Sequence, residues 1–293
     1  MKLRSHFLLV IGTLAILAIG LMGGASYQFN KHDALREAKE KGQIILNFLL
    51  STRAYFKDEQ RPLIMELIEK DRFYPDLMSG FVITRGTWEK FHKLMPDYRF
   101  KQATIDPLWP SNKADTDELE IIRFFQENPD DKNKEGLLNK NGEQFYYFAE
   151  PKNVSDQGCL RCHGDPLDAP KDQIMIYGSE NGYNWKLGEI VSIFIVYVPI
   201  ENALAAATKK TQMIVGFGAG CVVFILLLIW IFMNSRVVVP IMQLSKRAEE
   251  ISLGENLAES LQVKNKNEIG ILTESIDRLR ISMLTLLERC RRE

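Results

Sequence analysis

Residues 189–199 read EIVSIFIVYVP, a long run of β-branched and aromatic side chains that predicts a strand. The run passes through Pro199 into ENALAAATKK, which predicts a helix, and then into an uncharged apolar stretch at 213–233. A shift of this strand would therefore be handed straight to the following helix. Upstream, YRFKQATI at 98–105, EQFYYFAE at 143–150 and QIMIYG at 173–178 predict further strands. Helices are predicted over 33–56, over 61–70 from Pro62, where a missing N–H costs little, and over 115–128. The last opens on Asp115 with Glu118 three residues on, the spacing of a capping box. Residues 81–95 fit either period, and DPLWPSN at 106–112 breaks the chain with two prolines. Strands and short helices are interleaved, so the expected fold class is α+β.

Between the expected strands at 143–150 and 173–178 stands GCLRCHGD, residues 158–165, expected in an irregular, turn-rich connection. Cys-x-x-Cys-His is the attachment run for c-type haem: both thiols add to the haem vinyl groups and the adjacent histidine reaches the iron. Cys159 and Cys162 are thus the expected covalent haem attachment residues, and His163 the expected axial ligand of one haem c. A disulfide or a redox-active dithiol is the competing reading. Zinc needs two further soft or imidazole ligands at a second paired site. The other cysteines, Cys221 and Cys290, stand apart, and the other histidines are His6, His32 and His92.

Attachment of c-type haem places a domain outside the bacterial cytoplasm, so the chain is expected to cross a membrane. Residues 7–21, FLLVIGTLAILAIGL, continue uncharged through MGGASY, and 213–233 are uncharged throughout; each reaches the roughly 20 residues that span ~30 Å of hydrocarbon. A cleaved signal peptide competes for the first. Lys2, Arg4, Arg236, Lys246 and Arg247 agree with cytoplasmic ends on the positive-inside bias, while Lys209 and Lys210 lie on the other side next to a long translocated domain. The expected layout is an N-terminus and first span over 1–27, a periplasmic haem domain over 28–210, a second span over 211–234 and a cytoplasmic module over 235–293, in the bacterial inner membrane. A net charge of −1 argues against a nucleic-acid partner, which needs a basic face. With 46% hydrophobic and 26% charged residues the chain suits a soluble domain plus two spans.

YRFKQATIDPLWPSN, ELEIIRFFQEN, EQFYYFAEP, GCLRCHGDP and GYNWKLGEIVSIFIVYVP, in that order, resemble the periplasmic c-type haem domain of bacterial membrane sensors, a PAS-like family long labelled only as a domain of unknown function. The resemblance covers roughly residues 30–205. Ile105-Asp106-Pro107 departs from the Arg-Asn-Pro common in that family. The resemblance implies a distal iron ligand from the segment after the first helix, hence Met65, with Met78 as the alternative; Met95, Met175 and His92 were the other ligand types available. Arg99, Lys101, Lys152 and Arg161 are candidates to meet the haem propionates, although solvated surface charge is the ordinary role of each.

Beyond Val237, Ile241, Leu244, Ala248 and Ile251 recur at three- and four-residue spacing, as do Ile269, Leu272, Ile276, Leu279, Met283 and Leu286. Two such short amphipathic helices need partners. Pro240, the apolar points Leu257, Leu261 and Val263 of the connector, and Glu268-Ile269-Gly270 resemble a HAMP module, with Asn267 where an acidic residue is usual. The resemblance implies a parallel four-helix bundle in a homodimer. A generic juxtamembrane coiled coil is the plainer reading. No histidine follows His163 and no nucleotide-binding glycine run appears, so the output is expected on a separate cytoplasmic signalling protein or on a missing segment, and no enzymatic activity is expected here. The expected function is a membrane-bound haem sensor of redox state or a small diatomic ligand. The alternative is a membrane-anchored monohaem cytochrome serving a periplasmic redox partner. Peroxide chemistry ranks last, since no distal histidine–arginine pairing is evident.

Overall fold

The computed structural model describes residues 3–69, 72–262 and 267–290; Lys2, Lys70 and Val263 lie outside them. The chain divides into two compact units, residues 27–210 and residues 1–26 with 211–293. The helix α1 (Leu3–Tyr55) runs on through a π-helical turn at Phe56–Gln60 into α2 (Arg61–Leu67), with Pro62 in its first turn. Then come α3 (Pro75–Met78), α4 (Gly80–Leu94), β1 (Arg99–Thr104), α5 (Thr116–Glu127), β2 (Lys134–Lys140) and β3 (Glu143–Asn153). They are followed by α6 (Gln157–His163), α7 (Lys171–Tyr177), β4 (Ile190–Pro199), α8 (Glu201–Met233), α9 (Val239–Ser252) and α10 (Glu268–Cys290).

The unit of residues 27–210 is built on a four-stranded antiparallel sheet in the order β1-β4-β3-β2, so it is α+β. β4 is central, and its residues are buried on both parities, because each face of the sheet carries its own helical cover. Ile193, Ile195 and Tyr197 pack with Ile121, Ile122 and Phe125 of α5. Phe194, Val196 and Val198 pack with Ala38 and Leu46 of α1. Successive side chains point to opposite faces, so two covered faces demand apolar residues at every position, which is the composition of 189–199.

Asp115 caps α5 as the sequence predicts: its Oδ1 accepts from the Glu118 N–H at 3.0 Å, and Glu118 Oε2 accepts from the Asp115 N–H at 2.9 Å. The ambiguous residues 81–95 fall in α4, whose N-cap is Ser79, accepting from the Val82 N–H. Two local expectations are corrected. Residues 173–178 are not a strand; 173–177 lie in α7, which is bracketed by Pro170 and by Gly178 at φ +75°. A short apolar run does not distinguish strand from helix by period, and the Pro/Gly brackets were the better signal. The cysteine pair lies on α6, not in an irregular connection. β2 was unforeseen; Asn141 (φ 57°) and Gly142 (φ 87°) join it to β3 as a two-residue hairpin turn, the dipeptide such turns favour.

In the second unit α9 ends in a Schellman motif: the Gly254 N–H donates to Ile251 and the Glu255 N–H to Glu250, with Gly254 at φ +78°. Leu257 and Leu261 of the connector are tied to α10, since Arg280 donates to Leu257 O at 2.7 Å and Asp277 accepts from the Leu261 N–H at 2.9 Å. Leu244 and Ile251 are buried, whereas Ile241, Leu272, Leu279 and Leu286 are exposed. Two helices, within Ser5–Leu67 and Glu201–Ser252, are long and apolar enough to cross a membrane, with mean hydropathy 2.4 and 2.8 in their most apolar windows.

Candidate functional site

A cavity of about 550 Å³ opens in the unit of residues 27–210, within the roughly 300–1,000 Å³ of small-molecule sites. The end of α1, the first turn of α4, the loop after β1, the end of β3 and α6 all contribute to its lining. Cys159, Cys162 and His163 line it together. Positions i and i+3 of a helix share a face, so α6 presents both thiols to one space.

His163 is held from three directions. Its Nδ1 lies 2.7 Å from the carbonyl of Gly182; a carbonyl only accepts, so Nδ1 carries the proton and Nε2 keeps its lone pair. The ring stacks on Trp185 at 3.9 Å and 6° and meets the edge of Phe81. Backbone bonds from the Asn184 N–H to Gly164 O and from the Trp185 N–H to His163 O close the GYNW segment around α6. Gly182 itself is fixed by its N–H donating to Asp106 Oδ2 at 2.7 Å. Only glycine fits there, because φ is +80° and a Cβ would lie 2.6 Å from Leu108 Cγ. Asp106, the point of departure from the resembled family, is thus part of the support behind His163. Burial, with a smaller contribution from Arg53 and partly offset by Gly182, pushes the His163 pKa down to about 4, so the imidazole is neutral near pH 7. Burial likewise raises the Cys162 thiol. Gln173 of α7 braces the same turn, donating to Cys162 O at 2.6 Å.

Of the two methionines, Met78 lines the cavity; it is 3% exposed and its Sδ accepts from the Tyr74 N–H at 3.2 Å. Met65 is absent from the lining and sits on α2 with its Sδ 3.9 Å from Arg161 Nη1. Met95 and Met175 are exposed. His92 is exposed, bonds Tyr98 O through Nδ1 at 3.1 Å and stacks on Trp88. Among the four basic candidates, Lys152 alone lines the cavity. Arg99 pairs with Glu143, and Lys101 with Glu118. The sequence reading passed over Arg53, Lys57, Arg61 and Arg85, which do line the cavity. Lys57 pairs with Asp156 at 3.0 Å, and Arg85 lies over Trp109 at 4.2 Å. Their clustering joins α1, its π-turn, α2 and α4, and no local pattern announces it.

The lining therefore combines two thiols on one helical turn, a neutral imidazole of set tautomer, aromatic walls and an excess of basic groups. It suits a planar apolar ligand with an anionic edge. Among the described residues no group of three or more Cys, His, Asp and Glu is arranged to hold a bare metal ion.

The family model described as Tll0287-like matches residues 31–199, more than half of the chain. No curated protein matches. Among solved structures, the crystal structure of the cyanobacterial haem protein Tll0287 is 14% identical with a TM-score of 0.44, covering 56% of this chain and 95% of that one. On the match over residues 31–199, the chain belongs to the Tll0287-like family.

Proposed function

We propose that this is a membrane-bound c-type haem protein, holding one haem c through thioether bonds from Cys159 and Cys162 with His163 as an axial ligand. The observation that carries the reading is the turn of α6, where two cavity-lining thiols stand beside an imidazole whose Nδ1 is committed to Gly182 and whose other nitrogen is left for iron. Membership of a family whose eponym is described as a haem protein agrees with it. The residues present fit the group. Phe73, Phe81, Leu108 and Trp109 offer apolar walls, and Arg53, Arg61, Arg85 and Lys152 offer cations for its carboxylates. When bound, the haem supplies a one-electron iron centre whose sixth position decides between ligand sensing and electron transfer.

Sensing is the leading reading. In it, residues 1–27 and 211–234 span the inner membrane, residues 28–210 lie in the periplasm and residues 235–293 form a cytoplasmic HAMP module with both termini inside. The exposed seam residues Ile241, Leu272, Leu279 and Leu286 are those a second copy would cover in a four-helix bundle, and a homodimer would act on a separate signalling protein. The change in haem state biases two arrangements of the dimer by its differential binding free energy, typically ~1–3 kcal/mol. Electron transfer is the second reading, favoured by the sulfur of Met78 in the lining, which would saturate the iron; Met65 is the other candidate.

The test is to mature the full chain in a host competent for c-type haem. The intact mass should rise by one haem, and Cys159→Ser/Cys162→Ser should abolish the rise; a colourless protein of unmodified mass overturns the reading. Rapid carbon monoxide binding to the ferrous form supports sensing, and refusal supports the carrier.

A further inference from the structure

Arg53 stands in an unusual position. Its Nη1 is buried without a hydrogen-bond partner, although the residue keeps some surface. Its guanidinium lies over Phe81 at 4.3 Å and Phe194 at 5.5 Å; ring faces attract the cation but accept none of its in-plane N–H groups. Among the described residues no carboxylate lies within ion-pair distance of it.

The guanidinium also abuts the first turn of α4, a helix of 15 residues. A Cβ on Gly80 would come within 3.0 Å of Nη1, so glycine lets the two approach. Ser79 takes the Val82 N–H, which leaves the N–H groups of Gly80 and Phe81 without an intrahelical acceptor by position. No acidic residue stands in that turn. A positive helix end and an unpaired guanidinium repel each other unless an anion lies between them. Lys152, also in the lining, adds a third positive group over Phe194 at 5.4 Å.

We propose that Arg53, the Gly80–Phe81 turn of α4 and Lys152 form a carboxylate-binding subsite within the cavity. The carboxylate comes either from a haem propionate or from a free carboxylate ligand; only the first source rests on the haem reading. An Arg fork binds a carboxylate through two N–H groups, which a lysine cannot reproduce.

The experiment uses the full chain in detergent, in two forms. In the Cys159→Ser/Cys162→Ser form, which cannot attach haem covalently, acetate or propionate should raise the melting temperature above that in chloride at equal ionic strength. Arg53→Gln should abolish the rise and Arg53→Lys should retain part of it. In the haem-loaded form, Arg53→Gln should lower the reduction potential and steepen its pH dependence, since a cation opposing the ferric state is lost. If a propionate fills the subsite, loading removes the response to free carboxylate; if a free ligand does, the response persists. Should Arg53→Gln fail to fold, Gly80→Val, which crowds Nη1, takes its place in both forms. An equal response to chloride, or an Arg53→Gln chain unaltered in both carboxylate response and potential, overturns the proposal. Failure of haem attachment is read separately from the mass and leaves the first form decisive.

Discussion

Glu118 and Arg53 lie against opposite faces of β4, one beside Tyr197 and the other over Phe194, and their surroundings differ in kind. Glu118 is 1% exposed, yet its carboxylate accepts from Lys101 Nζ at 2.7 Å, Tyr197 Oη at 2.7 Å and the Asp115 N–H at 2.9 Å, with Lys140 at 3.5 Å. Burial, followed by the adjoining Glu118, drives the Tyr197 hydroxyl pKa upward, so it stays a donor. Arg53 has aromatic faces, a helix N-terminus and an unpartnered Nη1. A buried charge whose partners are all internal belongs to the scaffold. One whose partners are missing points to something the scaffold was shaped to receive.

The largest test attacks the complete side. Glu118→Ala removes the reciprocal half of the α5 capping box, the bond to the Asp115 N–H, and leaves Lys101 and Lys140 facing the Tyr197 hydroxyl without that carboxylate, so denaturant unfolding should show a loss of roughly 3–5 kcal/mol. A loss below about 1 kcal/mol, the range of an exposed pair, would break the contrast. The next test concerns pH on the cavity side. In the haem-free double-serine form, His163 has a folded pKa of about 4 against 6.5. The unfolded chain therefore takes its proton first, and the stability held above pH 6.5 falls by about 3 kcal/mol as pH drops to about 4. Urea titrations across that window should show this slope, and His163→Phe should flatten it.

A smaller effect is expected at Gly182→Ala. Its φ of +80° and the clash with Leu108 should cost about 1–3 kcal/mol and displace the carbonyl that sets the His163 tautomer. The measurements are a melting temperature and, in the loaded form, the absorption spectrum. Smallest of all should be Arg53→Gln in the haem-free form without added carboxylate. Removing an unpaired buried cation should change stability by no more than about 1 kcal/mol in either direction. A loss as large as that of Glu118→Ala would mean that Arg53 is already satisfied within the fold.

Local signals were legible where one stretch carries its own reason. Asp115 and Glu118 announced their helix because a capping box is written within four residues, and the run at 189–199 announced a strand by composition alone. The Asn141-Gly142 turn is equally local, but it went unread, and β2 with it. The 173–178 run misled because alternation over six residues fits a short helix as well as a strand. There Gln173, reaching Cys162 O and Tyr183 Oη, ties the segment down through contacts that no window contains.

The candidate site divides in the same way. Spacing along the chain put Cys159, Cys162 and His163 together, since residues within four positions of one another stay close whatever the fold, while the α+β class followed from interleaved strand and helix patterns and the two apolar helices from long uncharged runs. Packing between distant segments decided the rest. It set Met78 rather than Met65 in the cavity lining, joined Asp106 through Gly182 to the histidine, and brought Arg53 of α1 against Gly80 of α4. Those relations depend on how loops close and faces cover one another, and nothing in a linear pattern records which basic residue ends with a partner and which without.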